Sequence, residues 1–394
     1  MFIATGLALL GNYYVYDSIG PVAELLTRQL GFSDAQLGSL NAIYSLPNVF
    51  LVLVGGVLVD RLGARSVVFW TTAICLAGAV LTQLGGEFPV MVLGRFLFGV
   101  GSETLVVAIT VALAQWFLGR WFALFLALNI SLSRLGSYLA DRSPSFARSL
   151  YEQGWQSALG LATAFAVLSL LGAAVYWYLD RREERRGTLA IAPPGERIDW
   201  RNLLRFRLGY WYIVGVCVAF YAVIFPFRST FAIKYFQQAH GLSLQDAGSI
   251  NGNVFLAAAF ATPVFGLIVD RYGRHALLLV AGSVLLPLSF LFLANGNAGL
   301  WVSTVLLGLS FSLVPAVLWP SVARYVKGDQ LGTAYGLMTM LQNAGLTLAN
   351  LIVGRLNDIG NASATNAQGY AAMLWFFGVL GLAGFLFAVL LYRH

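Results

Sequence analysis

Apolar stretches of about 20 residues, long enough to carry an α-helix across the hydrocarbon core of a bilayer, follow one another along the whole sequence. Twelve are read, over residues 2–26, 35–59, 66–85, 88–113, 120–140, 157–179, 209–235, 244–269, 275–294, 298–324, 331–355 and 369–391. Backbone groups in hydrocarbon have no water to bond with, so they must be satisfied inside helices or around a closed barrel. These runs lack the alternation of barrel strands, which leaves helices. Composition agrees, with 59% hydrophobic and 10% charged residues, where soluble proteins have about a quarter charged. The expected fold class is an all-α membrane protein with twelve transmembrane helices and no soluble domain.

Basic residues give the orientation. Arg61, Arg65, Arg181, Arg182, Arg271, Arg274 and Arg324 fall on one side of a twelve-span chain, and that side is expected to be cytoplasmic, with both termini there. The net charge of +7 is thus a topology signal, and no nucleic-acid partner is implied. Cys75 and Cys217 both lie inside spans without CxxC spacing, so neither a disulfide framework nor a metal site is expected. No Walker A, GxSxG or HExxH pattern occurs, and the expectation is a non-enzyme without cofactor. The first span begins near Met1 with no basic region or cleavage site before it, and is expected to be retained.

The segment 180–208 is the longest non-apolar one and divides the spans six and six. The expected domains are 1–179, a linker over 180–208, and 209–394. The halves repeat: GGVLVDRLGAR at 55–65 is echoed by FGLIVDRYGRH at 265–275, sharing G-x-x-V-D-R-x-G. This loop resembles the G-x-L-x-D-R-x-G-R motif of the major facilitator superfamily, and the layout resembles its 6+6 pseudo-symmetric fold. The resemblance implies gating roles for Asp60, Arg61, Asp270 and Arg271. By the family's pseudo-symmetry, Asp60 faces the helix start near Gly332 and Thr333, and Asp270 the one near Gly119 and Arg120. A carboxylate is favoured at such a helix N-terminus. The alternative is that these charges only fix topology.

Several stretches narrow the resemblance: NYYVYD at 12–17, IYSLPNV at 43–49, GRFLFGVGSETLVVA at 94–108, LSRLGS at 132–137, FPFRSTF at 225–231, and most specifically 306–326 and 328–346. They resemble the branch of the superfamily that contains lysosomal dipeptide transporters. The sequence lacks the N-terminal sorting tail of the animal proteins, so a plasma-membrane location, in a prokaryote, is expected. The accessory subunit of the animal relatives cannot be carried over.

Glu103 stands in the middle of an apolar span, where a charge costs roughly 2.5–3.5 kcal/mol on insertion scales. Arg134, in the next, antiparallel span, falls at a similar depth. Ala127, Ser131, Arg134 and Tyr138 recur at helical spacing and are expected to form an inward-facing stripe. An anion and a cation facing a wet cavity match a zwitterion, with a peptide's ammonium on Glu103 and its carboxylate on Arg134. The resemblance assigns matching residues the same roles, and implies facilitated diffusion. The alternatives are a structural ion pair and a proton-carrying Glu103. Arg95 is either a second partner for Glu103 or an anchor, and Asp17 either structural or substrate-facing. Tyr44 and Asn48 in the first half, and Tyr221, Arg228, Asn251, Trp319, Gln342 and Asn343 in the second, are candidates to complete the binding surface, with helix packing as the rival role for each. The expected partners are a short-peptide substrate and the lipid bilayer. The rival functions are a proton-coupled porter of another organic solute and a non-transporting receptor.

Overall fold

The computed structural model describes residues 1–117, 122–185, 206–293, 296–326 and 330–394. The described residues form α-helices with short links. Among the described residues, eight helices are long and apolar enough to cross a membrane, nine if the bent pair Asp34–Leu51 and Val54–Leu62 is one span. The described parts of the remaining predicted spans, 2–26, 120–140 and 244–269, are helical too, and they carry more of the polar load: Asn12 and Asp17, then Asn129 and Arg134, then Asp246, Asn251 and Asn253.

The chain divides into two compact units, Met1–Phe32 with Ile43–Gly195, and Ser33–Ala42 with Glu196–His394. In the first, α1 (Phe2–Asp17) packs on α7 (Phe122–Phe146) and α9 (Trp155–Glu184), α5 (Ala64–Leu84) on α6 (Phe88–Trp116) and α9, and α4 (Asn48–Leu62) on α6. In the second, α10 (Leu208–Pro226) packs on α15 (Leu331–Ile359) and α16 (Ala371–Arg393), α13 (His275–Leu293) on α14 (Gly296–Tyr325) and α16, and α12 (Leu244–Tyr272) on α14. Counted by span, the pairings 1–5, 1–6, 3–4, 3–6 and 2–4 recur as 7–11, 7–12, 9–10, 9–12 and 8–10. The repeat in the sequence is therefore a repeat of helix neighbours.

Three predicted spans are not single helices. The first stops at Asp17 and restarts as α2 (Ile19–Leu30). Pro21 is the physical reason, since it has no N–H for the Asp17 carbonyl and its ring crowds the preceding turn. Arg95, buried in α6, donates to the carbonyls of Val15 and Tyr16, both at 3.2 Å, at this break. The second span is interrupted at Leu46–Pro47 between α3 (Asp34–Ser45) and α4, and the buried Asn48 donates to the Tyr44 carbonyl at 3.0 Å. The seventh contains a π-helical turn, Phe227–Phe231, between α10 and α11 (Ala232–His240). A π turn admits one extra residue and spoils the regular ladder, and here the Asn251 amide donates to the Arg228 carbonyl at 3.1 Å.

Close approach of α1 and α7 depends on Gly136. A Cβ there would stand 2.2 Å from the Leu10 carbonyl oxygen, a backbone atom that cannot swing aside. Gly136→Val is therefore expected to lower stability by about 1–3 kcal/mol, whereas Gly266→Val, at a position with nothing within 4 Å, leaves it near wild type. Thermal unfolding of both variants checks this, and equal melting would refute the packing account.

The segment Ser33–Ala42 belongs by sequence to the second span and by packing to the second unit. Asp34, Ala35 and Asn41 are engaged there. Lys234 on α11 pairs with the Asp34 carboxylate at 2.5 Å, and both side chains are 4% exposed. Asn357 donates to the other Asp34 oxygen at 2.8 Å. The Asp358 carboxylate accepts from the N–H groups of Asp34 and Ala35 at 2.8 and 3.1 Å, which places an anion on the α3 N-terminus. Asn41 donates to Thr230 at 2.7 Å, and Thr230 to Asn350 at 2.8 Å.

Candidate functional site

The predicted charges of the first unit converge on α1, α3, α6 and α7. Glu103, half-buried on α6, accepts from the Tyr44 hydroxyl at 3.3 Å. That hydroxyl also lies 3.1 Å from Ser102 Oγ, to which Asn12 Nδ2 donates at 2.7 Å. Gly99 makes the approach possible: a Cβ there would lie 2.2 Å from the Tyr44 carbonyl oxygen. The Tyr44 ring is held against Tyr16 at 4.6 Å and Phe98 at 5.5 Å between centroids.

Arg134 and Glu103 both act electrostatically on the Tyr13 phenol, as does Asp17. The two charges of the predicted clamp therefore share one neighbourhood, together with Asp17. Arg95 resolves toward the anchor: it bonds the α1 carbonyls and lies 5.5 Å from the Tyr44 ring centroid and 5.3 Å from that of Phe98.

The stripe expected on α7 is not the face this helix buries. Asn129, Ser133, Gly136, Ser137 and Ala140 are buried, while Ala127 and Ser131 are exposed and Arg134 and Tyr138 half-buried. The small residues take the packed face because α1 comes close there, so Arg134 sits beside that contact rather than in it.

In the second unit, Tyr221 and Trp319 come together, with Trp319 Nε1 donating to the Tyr221 hydroxyl at 3.1 Å. Tyr335, which sequence reasoning did not single out, donates to the Trp319 carbonyl at 3.0 Å and sets its ring 6.0 Å from the Trp319 ring. Gln342 Oε1 faces the Cys217 thiol at 3.5 Å. Asn251 and Asn343 turn their amide donors to backbone carbonyls of Arg228 and Thr339 at 3.1 and 3.0 Å. Arg228 is buried, with its guanidinium 4.3 Å from the Phe255 ring centroid.

Asp60 and Arg61 are exposed at the end of α4, and Arg271 is exposed near the end of α12. The Asp270 side chain, Gly119, Arg120 and most of the predicted linker lie outside the described residues. Arg65, the last residue of the first motif copy, contacts Glu184 at 2.6 Å and Asp180 at 3.6 Å, and Trp116 Nε1 donates to Asp180 at 2.8 Å. The ends of α5, α6 and α9 are thus tied together.

Asn12 and Ser102 also escaped the sequence reading. Each sits beside a residue that drew attention, Asn12 before the tyrosine run and Ser102 before Glu103, and an amide in the apolar α1 was the available signal.

Comparison with known proteins bears on what this arrangement serves. The family model described as Major Facilitator Superfamily matches residues 1–252 and 227–394. The lysosomal dipeptide transporter MFSD1 of Bos taurus is 34% identical over 395 residues, covering 97% of this chain and 82% of the relative. Its Homo sapiens counterpart is also 34% identical over 395 residues, covering 97% and 83%. Among solved structures, a bacterial homologue of the human lysosomal transporter Spinster superposes with a TM-score of 0.77 at 15% identity, covering 100% of this chain and 96% of that one. That last likeness bears on the fold alone.

Proposed function

The chain belongs to the major facilitator superfamily and is a multi-pass membrane transporter rather than an enzyme, and on that premise we propose that it carries short peptides, dipeptides first, by alternating-access facilitated diffusion. The observation that carries this reading is the sharing of one neighbourhood by Glu103 and Arg134 in a single unit. A dipeptide is a zwitterion with one fixed positive and one fixed negative end. Its ammonium donates to the Glu103 carboxylate, and its carboxylate accepts from the Arg134 fork. Everything between those ends is left to less specific contacts. Tyr44 orients Glu103, while the aromatic pair Tyr221 and Trp319, with Gln342, supplies side-chain surface in the second unit. Asn251 and Asn343 we assign to holding helix backbone. Relatives named as dipeptide transporters support the substrate class.

We place Asp60, Arg61, Asp270 and Arg271 at a cytoplasmic gate and the chain in the plasma membrane, with both termini cytoplasmic, because the basic residues gather at that face. The test is uptake of radiolabelled L-alanyl-L-alanine by proteoliposomes holding the purified chain. Saturable uptake that proceeds without an imposed proton gradient is expected. Proteoliposomes that move organic anions and ignore dipeptides would overturn the peptide reading, and uptake only with a gradient would replace diffusion by proton coupling.

A further inference from the structure

Resting on the ammonium subsite proposed above, we infer that Asn12 is a positioning residue for Glu103, acting through Ser102 and Tyr44. The Tyr44 hydroxyl carries one proton and stands between two acceptors, Ser102 Oγ at 3.1 Å and Glu103 Oε1 at 3.3 Å. It serves only one of them fully. The choice is made at Ser102, where Asn12 Nδ2, a donor with no accepting role, takes one lone pair at 2.7 Å. A hydroxyl that accepts a hydrogen bond becomes a stronger donor and a weaker acceptor, because bonds in a chain polarise one another. With one lone pair taken, Ser102 is the poorer acceptor for the Tyr44 hydroxyl that donates toward it, and the Tyr44 proton turns to Glu103. A chain polarised in that sense ends on a carboxylate that is ionised and aimed, as an ammonium requires. In the opposite sense Glu103 carries the proton, Tyr44 donates to Ser102, and Ser102 must accept twice.

Two observations separate this from ordinary packing. Asn12 is buried, and its Oδ1 has no hydrogen-bond partner among the described residues. An orphaned carbonyl lowers stability, so the amide is kept at a cost that an apolar side chain would avoid. On the same helix Thr104 and Thr110 each bond the carbonyl four residues back, whereas the Ser102 hydroxyl is engaged by Asn12 and Tyr44.

The test is the pH dependence of thermal stabilisation by L-alanyl-L-alanine, measured on the full chain in lipid nanodiscs for wild type, Asn12→Leu, Ser102→Ala and Glu103→Gln. The other titratable groups around the cluster are Tyr13, Tyr16, Asp17, Arg95 and Arg134. All are unchanged in these variants. In wild type, stabilisation is present above the midpoint at which Glu103 takes a proton and is lost as pH falls through it. Removing Asn12 weakens the bond that favours the ionised form, so the midpoint in Asn12→Leu moves up by about one pH unit. Ser102→Ala removes the rival acceptor and leaves the Tyr44 proton to Glu103, so its midpoint moves down, and it decides the matter should Asn12→Leu fail to fold. Glu103→Gln abolishes the step. The ligand-free unfolding temperature of Asn12→Leu is expected at or above wild type. A midpoint unmoved or lowered in Asn12→Leu, or unmoved or raised in Ser102→Ala, with a normal wild-type response, overturns the inference and leaves the zwitterion clamp standing. No stabilisation of wild type at any pH overturns the clamp and this inference together.

Discussion

Lys234→Met is expected to destabilise the second unit by about 3–5 kcal/mol, the usual cost of removing one partner from a buried ion pair. The loss comes less from the missing attraction than from the Asp34 carboxylate left behind. That carboxylate is as buried as its partner, and the Asn357 amide on its second oxygen cannot neutralise a charge. The double variant Asp34→Leu with Lys234→Met removes both charges and is expected to recover most of the loss, since an apolar pair of similar size is often as stable as the ion pair it replaces. Thermal unfolding of the single and double variants checks both statements. A double variant that melts as low as the single one would show that the site depends on its polar groups for something other than mutual neutralisation.

The second large effect is expected at the clamp. Arg134→Ala should weaken binding of a free dipeptide by about 2 kcal/mol or more, roughly thirtyfold, because a charge-assisted contact to the substrate carboxylate is lost. A C-amidated dipeptide has no such carboxylate and should bind wild type and Arg134→Ala alike. Glu103→Gln should invert the pattern, weakening the free dipeptide while leaving N-acetyl-dipeptide binding as it was. Ligand-induced shifts in unfolding temperature, read for the three peptides across wild type and both variants, distinguish this from a structural pair. Equal losses for every peptide, with lowered stability of the ligand-free variants, would return Glu103 and Arg134 to helix packing.

The sequence made the fold class legible because hydropathy reports the solvent of each helix, and the doubled G-x-x-V-D-R-x-G loop reported a repeat that the helix neighbours bear out. Hydropathy is blind to events inside a run of apolar residues. Pro21 and Pro47 each marked an interruption, yet an apolar window passes over both. The π turn at Phe227–Phe231 has no such marker, since one extra residue changes phase without changing composition. In the candidate site, charges announced themselves by their expense in an apolar span. Asn12, Ser102 and Tyr335 are neutral and so cost less to place there. Their roles depend on which neighbour each one meets, and a partner such as Lys234, 200 residues from Asp34, leaves no local trace.

That separation governs how the protein is made. At roughly 5–20 residues per second, about 10–40 s of synthesis pass between Asp34 and the ammonium that will pair with it, and Asn357 follows 323 residues after Asp34. A nascent chain that already holds its first six spans thus carries an acid whose counter-ion does not yet exist. One of the earliest parts of the second unit to be translated is then among the last to settle, when α15 arrives. Such non-local closure is slow by its nature. Final maturation accordingly belongs to the completed polypeptide, and a chain cut short after the linker would present Asp34 to the insertion machinery as an unpaired charge.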